Sequence, residues 1–260
     1  MMNFWEPKTL KKNQWYHWKI GPCRIWIRRS EDDEWSVAFD RTSMDQHLVV
    51  AQREKKPEDL SLTRYIFRSA TDDIQFLPAL PDRPVMVNPE SPVNLLSKTK
   101  AIFFVSIPLW LRIYSGEKDD ALLCEIPTEM LSNTWFGDPM EGELCYSLKT
   151  SALRSITDFE KKPHKIYCPV YILNNTSTPF QFQKLCIHVE NLRVYRANRL
   201  LLTNDVEITF IGEELPSQIV LSDGKPSISG DSVMICEERI PTSKSLLKKS
   251  FSLLKCFTNY

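Results

Sequence analysis

The sequence predicts an all-β protein of β-sandwich architecture: two packed antiparallel β domains followed by a short C-terminal amphipathic helix. Three observations carry this expectation. Apolar and polar side chains alternate in steps of two over much of the 260 residues, as they do in strands with one face in a core. The apolar run at 101–113 keeps that alternation across a proline. Short strand-like runs then recur at roughly 8–12-residue spacing as far as Leu221, which is the pattern of a sandwich.

Taken in order, Cys23, Ile25 and Ile27 alternate with Arg24, Trp26 and Arg28. A turn at 30–34 follows, and Trp35, Val37 and Phe39 resume the alternation. This is a β-hairpin with one face in the core. Residues 55–59, charged and containing Pro57, read as a surface loop, and 65–67 and 74–77 as strands. Residues 77–84 carry three prolines, and proline fixes φ and disfavours helix in the residue before it. The segment is either a boundary between β domains or an edge strand stripped of free amides. On the boundary reading, 1–80 is an N-terminal β domain, 81–240 the main sandwich region and 241–260 the tail.

Within 101–113, Phe103, Val105, Ile107, Leu109, Leu111 and Ile113 share one side. Pro108 cannot donate to a ladder, so the run should bend there and serve two strands. Ile102, Phe104, Trp110 and Tyr114 face the other way, and partial cover is expected for them too. A strand at 122–126 follows the turn at 115–120, and a short one is expected at 144–148. One helical turn is expected at 155–160. Strands at 165–173 and 180–189 flank the polar turn 174–179, which predicts another hairpin. Runs at 192–195, 200–203, 206–210 and 218–221 complete the series.

The tail has a different period. From Ser243, at about 100° per residue, Leu246, Leu247, Phe251, Leu253, Leu254 and Phe257 occupy one arc, with Lys244, Lys248 and Lys255 opposite. Pro241, Thr242 and Ser243 suit a helix start. Such a basic helix either closes the end of a sandwich or docks on a membrane surface or partner. In the docking case Leu246, Leu247, Lys248, Phe251, Leu254 and Lys255 are the residues expected to make the contact.

Composition narrows the function classes. Lys and Arg together number 33, as do Asp and Glu, so a uniformly basic surface for nucleic acid is not expected. Residues 1–10 hold no apolar core run, so no secretory signal is expected. The run 101–113 is interrupted by Ser106, Pro108 and Arg112 and falls short of the roughly 20 apolar residues of a membrane span, so no transmembrane segment is expected. The seven cysteines are scattered, with no C-x-x-C pair; they read as reduced thiols, mostly core, in a cytoplasmic protein. His17, His47, His164 and His188 stand alone without ligand spacing, so no metal site is expected. With seven glycines and no phosphate-cradling or nucleophile-elbow motif, no nucleotide cofactor is expected either.

The segment most suited to function is the aromatic, acidic loop at 135–143, with Trp135, Phe136, Asp138, Glu141 and Glu143, followed by Tyr146. Gly137 and Gly142 allow unusual backbone angles there. The loop could be pinned by its aromatics, could bind a partner or small ligand such as a sugar, or could use Glu141 and Glu143 as an acid–base pair. Cys145 and His164 could be drawn as nucleophile and base. Cys145 alternates with Leu144 and Tyr146 in an expected strand, however, and reads as core. No catalytic residue is assigned.

Arg83-Pro84-Val85, Ser106-Ile107-Pro108-Leu109-Trp110, Ile126-Pro127-Thr128, Leu131-Ser132, Thr134-Trp135-Phe136-Gly137 and Gly142-Glu143-Leu144-Cys145-Tyr146, followed by Pro169-Val170, Ile172 and Asn174, resemble a prokaryotic family known as domain of unknown function 432. The resemblance spans the chain and is most specific at 77–173. It brings no assigned activity. It implies an encoding beside small mechanosensitive channels, which favours a partner at the inner face of a membrane. The expectation is a cytoplasmic, non-enzymatic interaction or regulatory module with a protein partner near a membrane. The alternatives are a small-ligand or carbohydrate-binding module at 135–143 and a hydrolase using Glu141 and Glu143.

Overall fold

The computed structural model describes residues 4–31, 34–43, 48–67, 71–116, 121–140, 142–151, 153–158, 160–182, 184–212 and 217–241. The protein is all-β. Among the described residues the only helical segments are 3-10 turns at Ile156–Asp158 and Val189–Asn191. The amphipathic tail from Ser243, Glu141 and His47 lie outside the described residues. No helix among the described residues is long and apolar enough to cross a membrane.

The strands gather into two compact units. The first contains the chain up to Ala79, Pro108–Met130 and Lys162–His164; the second contains Leu80–Ile107, Leu131–Lys161 and the chain from Lys165 onward.

In the first unit a five-stranded antiparallel sheet runs in the order Leu48–Arg53, Trp15–Ile20, Cys23–Glu31, Glu34–Asp40, Thr63–Ile66. A four-stranded antiparallel sheet runs Lys8–Thr9, Asp73–Ala79, Trp110–Ser115, Ala121–Pro127. The hairpin read from alternation forms here, with Cys23, Ile25, Ile27, Trp35 and Val37 buried. The sheets meet at Trp18 and Phe76, whose rings pack edge-on with centroids 5.1 Å apart. The other face of the hairpin is not bare. Trp26 is buried beneath the His17 ring, 4.6 Å away, and the Arg24 guanidinium, 5.2 Å away. Phe39 departs from the expected core: it is 37% exposed, because the strand is ending and the Arg41 guanidinium covers its ring instead.

Pro108 divides the long apolar run as expected, into strands Lys100–Pro108 and Trp110–Ser115. Phe103, Val105, Ile107, Leu109, Leu111 and Ile113 are all buried. On the opposite side Phe104 and Tyr114 are buried and Ile102 and Trp110 half-buried.

The second unit holds a seven-stranded sheet. Its path is Gln218–Leu221, Val206–Phe210, Lys165–Asn174, Leu200–Thr203, Val194–Ala197, Val233–Cys236, with Lys100–Pro108 also pairing to Lys165–Asn174. Most pairings are antiparallel, but Lys165–Asn174 is parallel to both Leu200–Thr203 and Val206–Phe210. The expected hairpin around 174–179 does not form. Asn174 is buried, and its amide donates to the carbonyls of Leu95, Leu96 and Thr178 at 3.1, 3.1 and 2.8 Å. That side chain turns the backbone away, and Phe180–Phe182 pairs with Val93–Leu95 instead. This ribbon packs on the large sheet through Phe180 and Phe210, stacked at 3.8 Å.

A separate four-stranded sheet, ordered Ser132–Phe136, Glu143–Thr150, Val85–Pro89, Leu185–Ile187, carries the loop singled out by sequence.

Candidate functional site

Ser132–Phe136 and Glu143–Thr150 form a hairpin in register Trp135 opposite Leu144 and Phe136 opposite Glu143. A tight buckle closes it. Gly137 takes φ +100°, open to glycine because it lacks a Cβ. The Asp138 carbonyl accepts from the Trp135 indole N–H at 3.0 Å and from the Gly142 N–H at 2.7 Å. Its carboxylate accepts from the Met140 N–H at 2.8 Å. A Cβ on Gly142 would lie 2.4 Å from the Trp135 Nε1 and 2.6 Å from the Asp138 carbonyl, so the approach requires glycine.

Because strand side chains alternate, the hairpin has two chemically distinct faces. On the outer face Trp135 is 49% exposed, its ring held by the indole hydrogen bond, beside the exposed Leu144; Met140 at the tip is 89% exposed. Tyr146 follows on this face. Its hydroxyl donates to Asp82 at 2.9 Å, and the Arg83 guanidinium stands 5.6 Å from its ring.

The inner face gathers Phe136, Glu143 and Cys145. Phe136 and Cys145 pack with Met86 and Cys186 in a buried cluster. The Cys145 and Cys186 sulfurs are 3.6 Å apart. Glu143 Oε1 lies 3.8 Å from the Cys186 sulfur and 3.0 Å from His188 Nε2. His188 Nδ1 lies 2.7 Å from Glu190 Oε1. One imidazole therefore sits between two carboxylates, beside a pair of thiols.

The electrostatics follow from those contacts. Burial opposes charge on His188, but hydrogen bonds to Glu143 and Glu190 overcome it and push its pKa up to about 9. Hydrogen bonding with Cys186 holds the Cys145 thiol below its ordinary range, against burial, which raises it. The same contact and burial push Cys186 well up.

The structure thus divides the residues expected to act together. Trp135, Asp138 and Tyr146 serve the outer hairpin, Phe136 and Glu143 the inner cluster. His164 does not meet Cys145: it belongs to the first unit, where its Nε2 lies 2.8 Å from Glu129. Cys186, His188 and Glu190 were not visible as site residues. The available signal was their recurrence at every second position, matched by Glu143 and Cys145 on the other strand. Motif spacing searches for local pairs, and here the two thiols are 41 residues apart. Glu143, Cys145 and Cys186 present ligand atoms all within 4.8 Å of one another, and His188 adjoins them.

Fold and site together define an all-β protein in which a buried thiol pair meets a half-buried imidazole and carboxylate beneath an exposed aromatic hairpin. The chain belongs to the family described as "Protein of unknown function (DUF432)", whose model matches residues 4–255. No curated protein and no solved structure matches it.

Proposed function

We propose that the chain is a non-enzymatic protein-interaction module and that the Trp135 hairpin is its working edge. One observation carries the reading: Trp135 is held half-exposed by its indole hydrogen bond, with Leu144 exposed directly opposite on the same face. Rigid indoles presented this way are the residues that dominate protein–protein binding energy. Ser132–Phe136 also ends its sheet, with no strand on its outer side among the described residues. An extended partner segment can add there by backbone pairing and seat an apolar side chain on Trp135. The family resemblance favours a partner at the inner face of a membrane and a cytoplasmic setting.

Burial of the thiols supports binding over turnover. Cys145 is 0% and Cys186 1% exposed, which leaves a substrate no approach to either sulfur. Glu143 is engaged by His188.

The test is photo-crosslinking from position 133 in native lysate, comparing the natural chain with Trp135→Ala and Leu144→Ser. Loss of Trp135 should weaken capture at least about 30-fold, the equivalent of about 2 kcal/mol for an aromatic anchor, while the melting temperature holds. Equal capture by both folded variants would remove the hairpin from the function.

A further inference from the structure

The inner cluster brings two thiols and a carboxylate oxygen within ligand distance of one another. We propose that Glu143, Cys145 and Cys186 hold a zinc(II) ion, with His188 orienting Glu143 and Glu190 behind His188. This does not depend on the interaction reading, since the cluster is on the opposite face of the hairpin from Trp135.

A tetrahedral zinc ion, with Zn–S about 2.3 Å and Zn–O about 2.0–2.1 Å, sets its ligand atoms about 3.8 Å apart for two sulfurs and about 3.5 Å for sulfur and oxygen. The corresponding distances here are 3.6 Å between the thiols and 3.8 Å from Cys186 to Glu143, and the three ligand atoms all lie within 4.8 Å of one another. A disulfide would bring the sulfurs to about 2.05 Å.

The donor types agree. Two thiolates with one carboxylate suit zinc, whereas magnesium and calcium take oxygen ligands. Metal-binding carboxylates are ordinarily hydrogen-bonded in turn by a neighbour, which fixes their orientation. His188 stands at that position, its Nε2 3.0 Å from Glu143 and its Nδ1 2.7 Å from the buried Glu190. Three protein ligands leave the fourth position of the tetrahedron to a water molecule. On binding, the two thiols release their protons to solvent.

Topology explains how two strands that are not neighbours supply the ligands. Glu143–Thr150 and Leu185–Ile187 lie on either side of Val85–Pro89. The central strand begins at Val85, opposite Tyr146, and the preceding Pro84 has no N–H to extend the ladder. Cys145 is one residue beyond that end, and Cys186, opposite Met86, is one residue inside it. The ion would clamp the two flanking strands across the first residues of the central one.

The test uses the purified full chain under reducing conditions, stripped with a chelator and titrated with zinc, then with cobalt(II) as a spectroscopic substitute. The expected result is one zinc per chain, and a cobalt form with intense tetrahedral visible bands and thiolate-to-cobalt charge transfer. Cys145→Ser and Cys186→Ser should each weaken the charge-transfer band. His188→Gln, whose side chain is partly exposed, is the variant expected to fold regardless; it should keep the cobalt bands and lower zinc affinity by about 10–100-fold. A folded, reduced chain that binds no zinc overturns the proposal. So does a cobalt spectrum without thiolate character, or one unchanged in both serine variants.

Discussion

At residue scale, the hairpin tip depends on an absent side chain. Gly142 lets the indole of Trp135 reach the Asp138 carbonyl, and an added methyl group would meet both. Gly142→Ala should therefore cost about 1–3 kcal/mol, as overpacking does, and should release the Trp135 ring. Urea unfolding gives the first number, and faster exchange of the Gly142 amide, now bonded to Asp138, reports the second. A second residue-scale case is Asp40. Burial would raise its pKa, but the two-pronged bond from Arg24, at 2.9 and 2.6 Å, and the Thr42 N–H hold it below the usual carboxylate range. The unfolded chain then binds more protons than the native one near the unfolded pKa of about 3.9. The stabilisation is present above that pH and is lost as the pH falls through the lower native value. Urea midpoints measured from about pH 6 down to about pH 2.5 should fall less steeply for Asp40→Asn than for the natural chain.

At element scale, alternation was a reliable guide to faces and a poor one to partners. It identified the buried side of Cys23–Glu31, and it identified both sides of the run divided by Pro108, because exposure depends only on which way a strand's side chains point. Pairing depends on what the ends of a strand do. At Asn174 a single amide satisfying three carbonyls redirects the chain, and nothing in a two-residue period encodes that. Asn174→Ala should leave those buried acceptors wanting and cost at least about 2 kcal/mol. Hydrogen exchange should show the loss concentrated in Phe180–Phe182 and Val93–Leu95. Uniform destabilisation would mean that the amide does not set this pairing. The inner cluster was illegible for a related reason. Each of Glu143, Cys145, Cys186 and His188 reads as an ordinary strand residue in its own segment. Only the placement of the two strands on either side of Val85–Pro89 brings them together, and that is a tertiary fact.

At the scale of the whole molecule, the chain changes unit after Ala79, Ile107, Met130, Lys161 and His164. The shortest visit is three residues long. In it the His164 carbonyl accepts from the Leu109 N–H at 3.0 Å, its ring packs on Gly21, and its Nε2 meets Glu129. During synthesis, the amino-terminal half must therefore wait on the ribosome, its small sheet missing strands until about residue 127 emerges and its final pin until His164 does. Contacts this distant along the chain slow folding and leave strand edges uncovered in the meantime. Neither unit can be inherited, excised or transplanted as one uninterrupted stretch of coding sequence.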